Sequence, residues 1–263
     1  MADIVTLTTD WHNSDYYVGS IKAAIISRVP NAVIMDISHN IATFSRQQAA
    51  FVLKNTYKNF PTGTIHIVGV DSEPKIDGNI VVAYYEKQYF ICNNNGILGI
   101  VFDKTPEIVV SIDVGNDYDG STFPEFSIFS KIACYICSGS DIKQLGRVED
   151  DVVRVSELMP QQNENEIVGN VIYIDSFSNV ITNISKDLFE NQGIAMSNFE
   201  ILLNSNFHKT NKIHKSYNGV DRGEIVCVFN SLNLLEVAIR EGKAASLLSL
   251  DRHSLVRIKY NLQ

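Results

Sequence analysis

No stretch of this 263-residue chain approaches the ~20 consecutive apolar residues that a membrane-spanning helix needs, so no membrane span is expected. Positive charge is scarce as well: 22 Lys and Arg stand against 30 Asp and Glu, a formal net charge of -8, and Lys and Arg form no run. A phosphate backbone calls for a basic face, so nucleic acid is not an expected partner. The opening Met1-Ala2-Asp3-Ile4-Val5 has no charged n-region, long apolar core or small-residue cleavage site, and the expected compartment is cytoplasmic. Cysteine is sparse, at 92, 134, 137 and 227. Cys134 and Cys137 have the spacing of a redox pair or half a zinc site, yet no second pair exists to complete the zinc site. Phe129, Ile132, Ala133, Ile136 and Cys137 recur at helical spacing, which places these cysteines on the core face of a helix. Repeats and low-complexity tracts are absent too.

What is present is an ordinary globular composition, 45% hydrophobic and 20% charged, long enough for one large or two smaller cores. Residues 4–8 read as a strand. Val18, Ile21, Ile25 and Val29 mark a helix that Pro30-Asn31 stops. Residues 32–36 read as a second, buried strand, 44–59 as a second helix and 64–70 as a third strand. Strand and helix in alternation point to βαβ units. Further strands are expected at 80–84, 88–92 and 108–110, with a helix over 126–138. The expected architecture is an α/β N-terminal domain with a mainly parallel sheet over residues 1–160. A polar linker follows at 161–166. A smaller β-rich, barrel-like C-terminal domain then takes 167–263, in which only 234–240 suggests a short helix.

Three aspartates stand where strands end: Asp10, Asp36 and Asp71. In parallel α/β sheets the carboxyl ends of the strands form the ligand crevice, although an aspartate there also serves as a helix or turn cap. Asp36, in Met35-Asp36-Ile37-Ser38-His39, reads as a turn residue. Asp10, His12 and His39 together would make a metal site only if separate loops converged without a familiar ligand spacing, and no metal is expected.

Six segments run in order along the chain. Thr9-Asp10 leads through Asp15 and Tyr17 to Val18-Gly19. Residues 32–41 and 60–71 follow, the second ending on Val70-Asp71, and then comes Asn94-Asn95-Gly96-Ile97-Leu98. The later pair is Ile174-Asp175-Ser176-Phe177-Ser178-Asn179 with Thr182-Asn183-Ile184, and Gly223-Glu224 with Asn230-Ser231 and Leu234-Leu235-Glu236-Val237-Ala238. Together these resemble the SAM hydroxide adenosyltransferase (SAM hydrolase), chlorinase and fluorinase family, over residues 4 to 245 or so.

The resemblance implies a chain that binds S-adenosyl-L-methionine (SAM) and hydrolyses it to adenosine and L-methionine by attack of water at C5′. No cofactor is implied, since SAM enters as substrate or ligand. Asp10 would accept both ribose hydroxyls. Phe44 or Tyr217 would stack on adenine or flank the sulfonium. Asn179 would read an adenine edge beside Phe177, and Asp15, Asp175, Ser231 and Glu236 would hold the amino-acid end. A homotrimer with its sites at subunit interfaces is implied as well. The pattern departs from the family where water is handled. Asp71 matches the family's aspartate, but Lys75 is the cation nearest in sequence where an arginine belongs, and Pro124 stands in place of a histidine. A halide-pocket signature is missing. Two readings follow: a SAM hydrolase that works with Asp71 and substitutes such as Lys75 or Asn95, and a non-catalytic SAM or adenosine binder on the same scaffold.

Overall fold

The computed structural model describes residues 3–73, 80–112, 122–156, 158–192, 198–203 and 205–260. Two compact units divide the chain, Met1–Ser156 and Glu157–Gln263. Residues 161–166, expected as a linker, lie in the second unit.

Among the described residues the first unit carries seven strands: β1 (Ile4–Thr9), β2 (Val33–Ser38), β3 (Ile65–Gly69), β4 (Ile80–Tyr85), β5 (Gln88–Asn93), β6 (Ile108–Ile112) and β7 (Arg147–Glu149). Their order across the sheet is β2-β1-β3-β5-β4-β6-β7. Pairing is parallel from β2 through β1 and β3 to β5, and antiparallel from β5 through β4 and β6 to β7. The sheet is therefore mixed, a correction to the mainly parallel expectation. The cause is local: only Glu86 and Lys87 separate β4 from β5, both in the left-handed region at φ 47° and 62°. That is a two-residue hairpin turn, and a parallel return would need a crossover of roughly a dozen residues. Neither Glu nor Lys advertises such a turn.

Among the described residues four α-helices flank the sheet: α1 (Tyr17–Ile26), α2 (Arg46–Lys54), α3 (Ile97–Val101) and α4 (Ser130–Cys137). Period-two alternation sends Ile65 and Ile67 of β3 to one core, with Ile21, Ile25 and Phe129. Val68 faces the other core, with Leu53, Tyr57 and Phe90. The helix expected from residue 44 starts at Arg46, because Ser45 caps it by accepting the Gln48 N–H. The helix expected from 126 begins as a π-helical turn, Glu125–Phe129, before it settles into α4. Strand β2, expected to be buried, lies at the sheet edge with Val33 and Met35 exposed. All four cysteines are free thiols, two buried and the α4 pair half-buried.

The second unit is built from β8 (Gln161–Gln162), β9 (Glu166–Ile174), β10 (Val180–Ser185), β11 (Phe199–Leu203), β12 (Ser205–Thr210), β13 (Ile213–His214), β14 (Ile225–Phe229), β15 (Leu234–Ile239) and β16 (Leu255–Tyr260). They form one sheet in the order β12-β11-β16-β9-β10-β15-β14-β13, with β8 added onto β9. Among the described residues every pairing is antiparallel except that of β13 with β14. Two short helices, α5 (Lys186–Asn191) and α6 (Ala244–Leu247), complete it. The expected helix at 234–240 is strand β15. It is buried along both faces, with Glu236 enclosed among its apolar residues, so it lacks the alternation that marks a half-buried strand in sequence.

A buried histidine shows what this core demands of polar groups. His66 on β3 receives Thr6 at 2.7 Å on one ring nitrogen and meets Gln88 Oε1 at 2.7 Å with the other. Burial pushes its pKa down to about 4, the Gln88 bond opposing more weakly. The folded protein thus holds His66 neutral where an unfolded chain would protonate it. Stability from this residue is fully present above about pH 6.5 and is lost as pH falls towards 4. Denaturant titrations of wild type and His66→Gln should show the variant less stable at pH 7. The gap should narrow by roughly 3 kcal/mol by pH 4. A gap independent of pH would contradict a neutral buried imidazole.

Candidate functional site

Parallel register sets the site of the first unit. Thr9 of β1 lies opposite Gly69 of β3, so the chain just past each strand brings Asp10 and Asp71 to one edge. Asp10 Oδ2 accepts the Phe44 N–H at 2.8 Å. Its pKa is raised, first by partial burial and further by the Asp71 charge, against the lowering pull of the Phe44 bond. Phe44 itself is 70% exposed and holds φ at 60°, unusual for a residue with a large side chain. A backbone held in that region beside two carboxylates, with its ring left in solvent, fits a ligand contact.

Asp71 also adopts the left-handed conformation, φ 48°, and two asparagine amides pin its turn. Asn95 Nδ2 donates to the Asp71 carbonyl at 2.9 Å and to Val70 O at 3.2 Å, and Asn93 Nδ2 donates to Glu73 O at 2.9 Å. Against the Asp71 carboxylate lies Arg46, with Nε 2.6 Å and Nη2 2.5 Å from Oδ2, while Nη1 donates to Asn95 O at 3.0 Å. The site therefore has an arginine after all, supplied by α2 rather than by the segment after Asp71. Lys75, the expected cation, lies outside the described residues. A signal for Arg46 did exist in the sequence. A cation in the first turn of a helix opposes the helix dipole, so an arginine there wants an anionic partner elsewhere.

Glu125 is the second residue that sequence reading missed. It opens the π-helical turn, is 2% exposed, and its Oε1 accepts the Ser72 hydroxyl. Burial pushes its pKa up to about 7, the Ser72 bond opposing and the Asp10 charge adding to the rise. Gly69 makes the room: a Cβ there would lie 2.6 Å from Trp11 Cζ2 and 2.9 Å from Glu125 Oε1. Trp11, Tyr17 and Phe123 close over this region as edge-packed and tilted rings. The clue was a carboxylate set among Phe123, Phe126 and Phe129, but without the fold it reads as a solvated helix position. Asp15 is exposed just before α1.

In the second unit, the turn between β9 and β10 gathers Asp175, Phe177 and Asn179. Asp175 Oδ1 accepts the N–H groups of Phe177 at 2.9 Å and Asn179 at 2.8 Å, and Oδ2 takes Asn179 Nδ2 at 3.2 Å. The carboxylate thus shapes its own loop, and Phe177 projects from the tip, 76% exposed. Glu236 is buried and paired on both oxygens, by Tyr217 Oη at 2.6 Å and Asn230 Nδ2 at 3.1 Å. It braces Tyr217, whose ring stays half-exposed and whose hydroxyl pKa rises through burial and that bond. Ser231 is exposed in the turn after β14. The structure thus groups Asp10, Phe44, Asp71 and Asn95 in one unit, and groups Asp175 with Phe177 and Asn179, and Tyr217 with Glu236, in the other.

Among the described residues no group of three or more His, Cys, Asp or Glu could hold an ion. His39 is buried, bonded to Thr9 and beside Asp36, and His12 is exposed near Asn40. Among the described residues no helix is long and apolar enough to cross a membrane.

The N-terminal domain model of SAM hydroxide adenosyltransferase matches residues 5–146, and the C-terminal domain model matches residues 169–257. An (R)-S-adenosyl-L-methionine hydrolase of Methanocaldococcus jannaschii is 28% identical over 276 residues, covering 98% of this chain and 96% of that protein. A fluorinase of Nocardia brasiliensis is 22% identical, covering 73% and 74%. Among solved structures, an uncharacterized conserved protein from Thermotoga maritima superposes with a TM-score of 0.85 at 27% identity, over 97% of this chain and 99% of that one. With both domain models matched in order across most of its length, the chain belongs to the SAM hydroxide adenosyltransferase family.

Proposed function

We propose that the protein hydrolyses S-adenosyl-L-methionine to adenosine and L-methionine. The observation that carries this reading is the Asp71–Arg46 pair, placed beside Asp10 at the carboxyl ends of β1 and β3. An in-line displacement at C5′ releases methionine as a neutral thioether, so the leaving group needs no acid. What the reaction does need is an oxygen nucleophile held in position and partly stripped of solvent. Asp71 accepts a hydrogen bond from the attacking water, and Arg46 fixes the carboxylate's orientation through two nitrogens on one oxygen. Asn95 sets the turn that aims Asp71.

Binding is assigned on the same footing. Asp10 takes the ribose diol, its second oxygen being left by the Phe44 bond, and the exposed Phe44 ring lies against the adenine or the sulfonium. Phe177 and Asn179 take the adenine end, with Asn179 offering Oδ1, since its Nδ2 is given to Asp175. Asp175 and Glu236 act by shaping the loops that carry Phe177 and Tyr217, and Asp15 and Ser231 approach the methionine tail. Each unit by itself presents an exposed aromatic and only part of this set. We therefore assign the complete site to the first unit of one protomer and the second unit of a neighbour in a homotrimer. The compartment expected for it is the cytoplasm.

Incubation with SAM followed by chromatography should yield adenosine and methionine in equal amounts and no halogenated nucleoside. SAM recovered intact from a tight complex would instead identify a binder. Asp71→Asn and Arg46→Ala should each lower turnover by roughly 10²–10⁴-fold while calorimetry finds SAM affinity little changed. Unchanged turnover in both would remove the pair from the mechanism.

Asp10→Ala should weaken binding by about 1.5–3 kcal/mol, the loss expected when charged hydrogen bonds are removed. Light scattering should report a trimer, and mixed Asp10→Ala and Asn179→Ala chains should regain part of the lost activity. A monomer with full affinity for SAM would refute the shared site.

A further inference from the structure

We propose that Ser72 and Glu125 form the proton exit of the hydrolytic site: Ser72 takes the proton of the attacking water while passing its own to the Glu125 carboxylate. This rests on the hydrolase reading above. In that step the water oxygen forms a bond to C5′ as the C5′–S bond breaks, and its electron pair goes to sulfur. One water proton moves to Ser72 Oγ as the Ser72 proton moves to Glu125 Oε1. The products are neutral adenosine, methionine and a protonated Glu125, which later returns its proton to solvent. Ser72 is the group that touches the reacting water; Glu125 acts through it.

Three independent features support the relay. Ser72 directly follows Asp71, so the residue that holds the water and the residue that drains its proton are chain neighbours at the same strand end. The Ser72 hydroxyl donates to Glu125 Oε1, which aligns the pair for transfer in that direction. Gly69 keeps β3 free of a side chain at the position where one would strike both Trp11 and Glu125, which shows how tightly this carboxylate is enclosed. Asp71 is ill suited to be the final acceptor. Its carboxylate is already engaged by two nitrogens of Arg46.

The groups that face Glu125 explain why it is poised near neutrality. Burial is the main cause of its raised pKa of about 7, and Asp10 from the end of β1 adds to it. Tyr17 at the start of α1 and Cys92 on β5 both sense the Glu125 charge; the Tyr17 pKa is raised chiefly by its bond with Tyr16 and the Cys92 pKa chiefly by burial, with Glu125 adding to each. Asp71, which also acts on Cys92, adds negative charge to the same region. The polar partner is Ser72, and Trp11 supplies an apolar wall. A general base with a pKa near the working pH combines a useful ionised fraction with enough basicity to take the proton.

The test is the pH profile of kcat/KM for wild type, Glu125→Gln, Glu125→Asp and Ser72→Ala, with SAM affinity and melting temperature measured alongside. In wild type kcat/KM should rise through an acid limb near pH 7, since the free enzyme must lose the Glu125 proton. Glu125→Gln should lose about 10²–10³-fold and flatten that limb, with SAM affinity within a few-fold of wild type. Glu125→Asp should restore part of the rate and the limb, and Ser72→Ala should fall with Glu125→Gln. Stability supplies a readout that needs no turnover. The folded protein holds the Glu125 proton more tightly than the unfolded chain, so this residue costs stability as pH rises from about 4.5 through 7. The melting temperature of Glu125→Gln relative to wild type should therefore climb between pH 5 and pH 8.

Wild-type turnover with an unaltered acid limb in Glu125→Gln would overturn the relay and leave the hydrolase reading standing. A wild type that binds SAM without cleaving it would overturn both.

Discussion

Three carboxylates crowd the carboxyl ends of two adjacent parallel strands, and the arrangement of the first unit follows from how their mutual repulsion is relieved. Asp10, Asp71 and Glu125 each meet a different answer. Asp71 gains a guanidinium. Asp10 gains a backbone N–H from a residue in the left-handed region. Glu125 is enclosed so that it holds a proton up to neutrality. The three solutions leave one carboxylate held by an ion pair, one held by a backbone N–H and one enclosed group whose pKa is pushed up to about 7. A cationic sulfonium substrate gains from the first two, and a proton-releasing reaction has a use for the third.

The supporting structure is arranged around this edge. Asn93 and Asn95 give their amides to the Asp71 turn, the Ser45 cap starts α2 where its first residue, Arg46, can reach across, and Gly69 leaves the space that Trp11 and Glu125 occupy. Each device is small. Surface-accessible ion pairs contribute little to stability by themselves, which argues that Arg46–Asp71 is retained for geometry. The buried titratable groups of the core behave in opposite senses. His66 is held neutral by losing its proton and Glu125 by keeping one, so their effects on stability between about pH 4.5 and 6.5 oppose each other.

The second unit uses carboxylates differently. Asp175 spends its oxygens inside its own turn and Glu236, on β15, spends its oxygens on Tyr217 and Asn230, and what they leave exposed is aromatic: Phe177 at a hairpin tip and Tyr217 over a buried anchor. A carboxylate that accepts two backbone N–H groups fixes a turn far better than it grips a ligand. The sequence pattern offered both residues as ligand groups; in the structure the Asp175 carboxylate is bonded within its own turn and that of Glu236 to the side chains of Tyr217 and Asn230.

Part of the candidate site is grouped in the structure as the sequence pattern suggested, because its elements are local. Asp10 and Asp71 follow apolar runs whose composition marks them as strands, and in the five-residue turn Asp175-x-Phe177-x-Asn179 the carboxylate's bonds stay within the turn. The α/β first unit and the β-rich second unit were legible for the same reason, since periodicity is a property of neighbours along the chain. What the sequence alone did not determine involves partners far apart. Whether β4 returns antiparallel depended on two residues taking left-handed backbone angles that their side chains do not favour. Strand β15 is buried on both faces, which erased the alternation that would have named it. The site's arginine lies 25 residues before its aspartate, and the buried Glu125 lies 53 residues after its serine. Only the folded sheet, by placing the end of β3 under α2 and beside the π-helical turn, decides that Arg46 guards Asp71 and that Glu125 meets Ser72. A charge's chemistry is set by what surrounds it in space, and that is a tertiary property.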